Sequence, residues 1–83
     1  MESNNSIVER MSRIFREVFD DPSINIRDDM TSADIEAWDS LTHIHLIFAM
    51  EKEFKIVFTI GEAGGSLKNV GELRTLIVKK IGG

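Results

Sequence analysis

Ser40 is the residue of this chain best placed to do chemistry. It stands almost at mid-chain in Trp38-Asp39-Ser40-Leu41, after a long irregular stretch and at the start of an amphipathic run. A serine in the first turn of a helix has no preceding turn to shield its hydroxyl. A phosphate joined to it would lie among unpaired backbone N–H groups at the positive end of the helix dipole. Such a serine suits a phosphodiester-linked prosthetic group. The plainer alternative is an ordinary helix start whose serine only caps. His43 and His45 invite a metal reading, but residues i and i+2 of a helix point about 200° apart. With two His and no Cys in the chain, no metal site is expected, and surface placement or partner contact fits better.

The elements that must position Ser40 follow from apolar spacing. Ile7, Val8, Met11, Ile14, Phe15, Val18 and Phe19 fit one helical face, so a helix is expected from about Asn5 to Phe19. Asn4, Asn5 or Ser6 would cap it, and Asp20-Asp21-Pro22 would stop it. Asp20 to Trp38 is irregular, with Ile24, Ile26, Met30 and Ile35 as isolated apolar anchors. A loop pinned by those anchors is expected, with one short helical turn near Ser32–Glu36. The second helix is expected from Asp39-Ser40 to about Phe54, with Asp39 as N-cap and the Thr42 amide capped. Leu41, Ile44, Ile47, Phe48, Met50 and Phe54 share a broad face there, opposite Thr42, His45, Ala49 and Lys52.

Lys55 to Ile60 has strand-like composition without a pairing partner, which favours an extended connector. Gly61 to Ser66 allows at best one helical turn, and Gly64-Gly65 argues against a regular third helix. The last helix is expected from Val70 to Ile81, with Asn69 and Glu72 as a capping-box pair. Its core stripe is Val70, Leu73, Ile77 and Ile81, with Lys79-Lys80 near the negative end. The expected fold is all-α, a small bundle of three main helices plus a short one, with a long loop between the first two.

The chain has 83 residues, enough for one domain spanning residues 1–83. Its 10 Lys+Arg against 14 Asp+Glu give a formal charge of −4. That balance disfavours nucleic acid and anionic lipid, which need clustered basic residues, and a helix-turn-helix regulator with them. The N-terminus shows no secretory pattern. The longest mainly apolar stretch, Leu41 to Met50, falls far short of the ~20 residues of a membrane span. A cytoplasmic, free-standing monomer is the expectation.

Asp39-Ser40-Leu41, the helix before it, the long loop, and a following helix ending in Met50-Glu51-Lys52-Glu53-Phe54 together resemble an acyl carrier protein. The resemblance runs from about Ile7 to Ile81. It implies a covalent 4′-phosphopantetheine on Ser40, installed from coenzyme A by a separate phosphopantetheinyl transferase with Mg²⁺. The arm's thiol would hold acyl or aminoacyl groups as thioesters for a loading enzyme and downstream synthases, as in fatty acid or polyketide synthesis. The protein itself would catalyse nothing. In that reading Asp39 caps the helix and presents Ser40, while Leu41 anchors the helix to the core. Met11, Phe15, Phe19, Phe48, Met50 and Phe54 would be core side chains able to yield to an acyl chain, and Trp38 would plug the loop onto the bundle.

Family members commonly carry an acidic second helix that docks on basic enzyme patches. Here Thr42, His43 and His45 occupy its first turns, so docking is expected to draw on Glu36, Thr42, His45, Ala49, Lys52 and Glu62. Gly64-Gly65-Ser66-Leu67 is similar to the Gly-Gly-x-Ser-Leu site of peptidyl carrier proteins, but it lacks the intervening residue and too few residues follow it. Two rivals remain: a helical adaptor without a prosthetic group, and a ubiquitin-like sulfur carrier using Gly82-Gly83. The helical N-terminal half opposes the second.

Overall fold

The computed structural model describes residues 4–64 and 69–82, in which helices α1 (Asn4–Val18), α2 (Ser40–Phe54), α3 (Ile60–Gly64) and α4 (Val70–Gly82) follow in order. Among the described residues there is no strand. Helix α1 packs against both α2 and α4. Its apolar face supplies Ile7, Met11, Ile14 and Phe15 to the core, facing Leu46, Ile47, Met50 and Phe54 of α2 and Val70, Leu73 and Ile77 of α4. Ile81 is half-buried at the edge of that stripe. Asn4, Asn5 and Ser6 all lie inside α1 rather than capping it.

Helix α1 ends where the Asp20-Asp21-Pro22 signal places the stop. Asp20 takes a left-handed backbone (φ 51°). The amides of Asp20 and Asp21 then reach back to the carbonyls of Glu17 (3.3 Å) and Arg16 (3.0 Å), satisfying two orphan acceptors. Helix α2 ends likewise at Lys55 (φ 56°), with the Ile56 amide donating to Glu51 O at 3.2 Å. Arg10 joins the two helices, donating from Nε to Glu53 Oε2 at 2.7 Å with its guanidinium 4.4 Å above the Phe54 ring.

The α1–α2 loop is pinned as expected by buried Ile24, Met30 and Ile35, with Ile26 half-buried. The helical turn expected near Ser32–Glu36 is absent. Isolated turns replace it, closed by the Asp34 amide on Thr31 O (2.9 Å) and the Trp38 amide on Ile35 O (3.0 Å). Asp34 accepts from the Thr31 amide at 2.9 Å and Thr31 Oγ1 from the Ala33 amide at 3.2 Å, a cap-like start that is not continued into a helix, because the chain turns to bury Ile35.

The face expected to be buried on α2 is only half correct. Ile47, Met50 and Phe54 are buried, as is Leu46, but Leu41 (61% exposed), Ile44 (48%) and Phe48 (63%) face outward. Leu41 therefore does not anchor α2 to the core, and Phe48 is not a core side chain. The reason is geometric: α2 is apolar around most of its circumference, and α1 can cover only one side.

The extended connector is present between Lys55 and α3, pinned by buried Phe58. Its amide donates to Glu51 Oε2 at 2.8 Å. Helix α3 is a five-residue element, starting one residue before the expected turn. The residues Gly65, Ser66, Leu67 and Gly83, named above as part of two rival motifs, lie outside the described residues.

Candidate functional site

The start of α2 is fixed by a reciprocal cap. Asp39 Oδ1 accepts from the Thr42 amide at 2.9 Å, and Thr42 Oγ1 accepts from the Asp39 amide at 2.8 Å. The Thr42 hydroxyl also donates to Ala37 O at 2.8 Å, tying the helix start to the loop before it. These bonds hold the Asp39 carboxyl below its ordinary range, the Thr42 amide chiefly and the Thr42 hydroxyl next, with the Leu41 amide contributing. Asp39 therefore already occupies part of the helix's positive end. A phosphate on Ser40 would share that end with a carboxylate rather than find all its amides unpaired, as the sequence suggested. Ser40 itself is exposed, and no described residue accepts or donates a hydrogen bond at its hydroxyl.

Ser40 opens onto a cleft of about 760 Å³ between α2 and α3, lined among others by Trp38, His43, Ile44, Phe48, Ile60 and Ala63. The back of the site is aromatic. Trp38 meets Phe15 edge-on (5.5 Å between centroids) and Phe19 at 5.8 Å, so it plugs the loop end onto α1 as expected. Its indole Nε1 donates to His43 Nδ1 at 3.2 Å, and His43 Nε2 lies 2.8 Å from the Ala63 carbonyl of α3. Sequence reading placed His43 on the surface or against a partner. The structure turns it inward, with both ring nitrogens engaged, while His45 stays exposed.

A scan of protein-family models finds no match, and neither does a search of curated proteins. Among solved structures, the chain is similar to the holo acyl carrier protein from Geobacter metallireducens, determined in solution by NMR. The two are 45% identical with a TM-score of 0.85, covering 92% of this chain and 86% of the other. This chain belongs to the acyl carrier protein family. The all-helical fold agrees with a carrier.

Within that family reading, the docking residues expected from sequence separate into two sets. Glu36, His45 and Lys52 are exposed. Thr42 is committed to the α2 cap, and Ala49 packs against the core. Glu62 accepts from the Thr59 amide at 2.8 Å and pairs with Lys80 at 2.9 Å. Those contacts, the Thr59 amide foremost, keep its carboxyl below the ordinary range. The outward side chains of α2 near Ser40 are instead Leu41, Ile44, His45 and Phe48, an apolar surface without an acidic residue. No helix among the described residues is long and apolar enough to cross a membrane.

Two features of the site escaped sequence reading. One was legible: Thr59-Ile60-Gly61-Glu62 is a capping box, and the Glu62 amide donates to Thr59 Oγ1 at 3.1 Å in return for the Thr59–Glu62 bond. The other, the bond of His43 to Ala63, had no local signal, since the two lie twenty residues apart.

Proposed function

We propose that Ser40 is the attachment point of a 4′-phosphopantetheine arm, and that the protein carries acyl groups on it between enzymes. One observation supports this most: an exposed hydroxyl without a hydrogen-bond partner among the described residues, held at the first position of a doubly capped helix. The similar solved structure is described as a holo form, which is the state this reading predicts after modification. In the modification, the Ser40 oxygen attacks the pantetheine-bearing phosphorus of coenzyme A and the pyrophosphate bond breaks. Adenosine 3′,5′-bisphosphate leaves, and the serine proton passes to a base of the transferase. When bound, the arm supplies a thiol that holds acyl groups as thioesters. The chain's own residues contribute the rest. Asp39 and Thr42 fix the backbone around Ser40, and Trp38 fixes the loop that leads to it.

Asp39 and Leu41 flank the attachment point differently. Asp39 sets the helix start, whereas exposed Leu41 is available to the transferase and to later partners. Loading enzymes and synthases would read the same face, with Glu36, His45 and Lys52 at its rim. A cytoplasmic location agrees with this role. The test is intact-mass analysis after incubation with coenzyme A, Mg²⁺ and a broad-specificity phosphopantetheinyl transferase. A gain of one arm is expected, lost in Ser40→Ala and kept in Ser66→Ala. No gain with several transferases would return the protein to the class of helical adaptors.

A further inference from the structure

Exposed Ile44, Phe48 and Ile60 (94% exposed) line the cleft beside Ser40 on its solvent side. Half-buried His43 lines it between α2 and α3. Indole Nε1–H can only donate, so His43 Nδ1 accepts from Trp38, and Nε2 then carries the hydrogen that it gives to the Ala63 carbonyl. One imidazole thus joins the end of the α1–α2 loop, α2 and α3. The rings of Trp38 and His43 lie nearly parallel, 14° apart, with Phe15 and Phe19 behind Trp38. Buried Ile47 also lines the cleft, while Leu46 and Met50, each 0% exposed, lie in the core outside its lining.

Resting on the carrier reading of Ser40, we propose that His43 is a latch that sets the depth of this cleft and so the length of chain it accepts. While its two hydrogen bonds hold, an acyl chain carried from Ser40 lies in the outer cleft against Ile44, Phe48 and Ile60. A chain that enters the core parts His43 from Ala63 and leaves the Trp38 N–H and the Ala63 carbonyl to find new partners. Two such bonds together shift the open–closed equilibrium by about thirtyfold. Burial of each methylene favours entry by about fourfold. Removing the latch therefore lowers the chain length at which the core is entered by about two to three methylenes.

Two variants separate the hydrogen bonds from the ring that makes them. His43→Phe keeps an aromatic ring and removes both bonds; His43→Gln keeps a donor and an acceptor. In the protein without its arm, solvent exchange of the Trp38 indole proton reads the latch directly, and exchange of the Ala63 amide, which donates to Thr59 O at 2.9 Å, reads the loosening of α3 that follows. Exchange about thirtyfold faster in His43→Phe, and largely restored in His43→Gln, is expected; unchanged exchange in His43→Phe overturns the latch. Loading Ser40 with saturated acyl groups of four to twelve carbons then reads cleft depth through the amide resonances of Leu46 and Met50, which lie outside the cleft lining. Their shifts should begin two to three methylenes earlier in His43→Phe than in the unsubstituted protein. Equal onsets in a protein loaded at Ser40, verified by mass, overturn the latch alone. Failure to load at Ser40 overturns the carrier reading and the role of the cleft with it.

Discussion

Helices α2 and α4 begin with the same local chemistry and end in opposite roles. Asp39 caps α2 through the Thr42 amide at 2.9 Å, and Asn69 caps α4 through the Glu72 amide at 2.8 Å. What differs is the surroundings. At α4 the loop closes over the helix start: the Val70 amide donates to Met30 O and the Gly71 amide to Asp28 O, each at 2.9 Å. Arg74 clasps the same loop, donating from Nε and Nη2 to the two carboxylate oxygens of Asp28 at 2.9 and 3.0 Å. At α2 the equivalent position is Ser40, exposed at the mouth of a cleft. A capped helix start is therefore a structural joint when the chain covers it and, on the role proposed for Ser40, a handle when the chain leaves it open.

The largest expected effect separates these roles outright. Ser40→Ala should remove the whole mass gain on incubation with transferase, yet alter unfolding free energy by no more than about 0.5 kcal/mol, because the side chain is exposed. Gly71→Ala should do the reverse. A Cβ at Gly71 would lie 3.0 Å from both the Cβ and the carbonyl oxygen of Asp28, so loop or helix must shift. A loss of about 1–3 kcal/mol is expected in urea unfolding, with the mass gain at Ser40 retained. If Gly71→Ala abolished modification while remaining folded, the division between joint and handle would fail.

The caps themselves should be equal in stability and unequal in function. Asp39→Ala and Asn69→Ala are each expected to cost about 1 kcal/mol. Only Asp39→Ala should also slow modification, measured as initial rate at fixed transferase concentration. Arg74→Ala should be milder, about 0.5 kcal/mol and diminished by salt, since Asp28 is largely solvent-exposed.

The smallest effect is electrostatic. Asp39 is held below the ordinary aspartate value of 3.8 chiefly by the Thr42 amide, and Asp28 chiefly by the Arg74 guanidinium. A carboxyl whose folded pKa is depressed adds stability that is fully present above the unfolded value. That contribution disappears as pH falls through the folded one. Thermal unfolding between pH 5 and pH 2, on the order of one unit above and two below that value, should show stability falling with acid. Asp39→Asn should flatten part of the slope; an unchanged slope would show that the cap carries no charge preference.

The helices were legible because their evidence is local. The apolar period of α1, the Asp39–Thr42 cap, the Asn69 cap and the core stripe of α4 each lie within a few residues of one another, and backbone geometry converts such spacing into structure directly. The site was legible to the same extent: Ser40 follows its cap in the chain, so its place in the first turn needed no tertiary information. Two other expectations failed for lack of distance information. Leu41 and Phe48 read as core because α2 is apolar around most of its surface, and a period cannot choose a buried side when nearly every side qualifies. The Ser32–Glu36 turn read as helical because Thr31 and Asp34 make a cap-like local start, whereas its failure to continue depends on the course of the loop around buried Ile35.

The sequence by itself determined the three main helices to within a residue or two at their ends and which serine stands at the head of α2. Tertiary structure decided which of two similar helix starts is covered, which half of α2 faces water, and that His43 points inward to Trp38 and Ala63. The physical reason is range. Caps and periods act over three or four residues, whereas the contacts that made these choices span 20 residues between His43 and Ala63 and 46 between Asp28 and Arg74. Such contacts exist only after the hydrophobic core has brought the elements together.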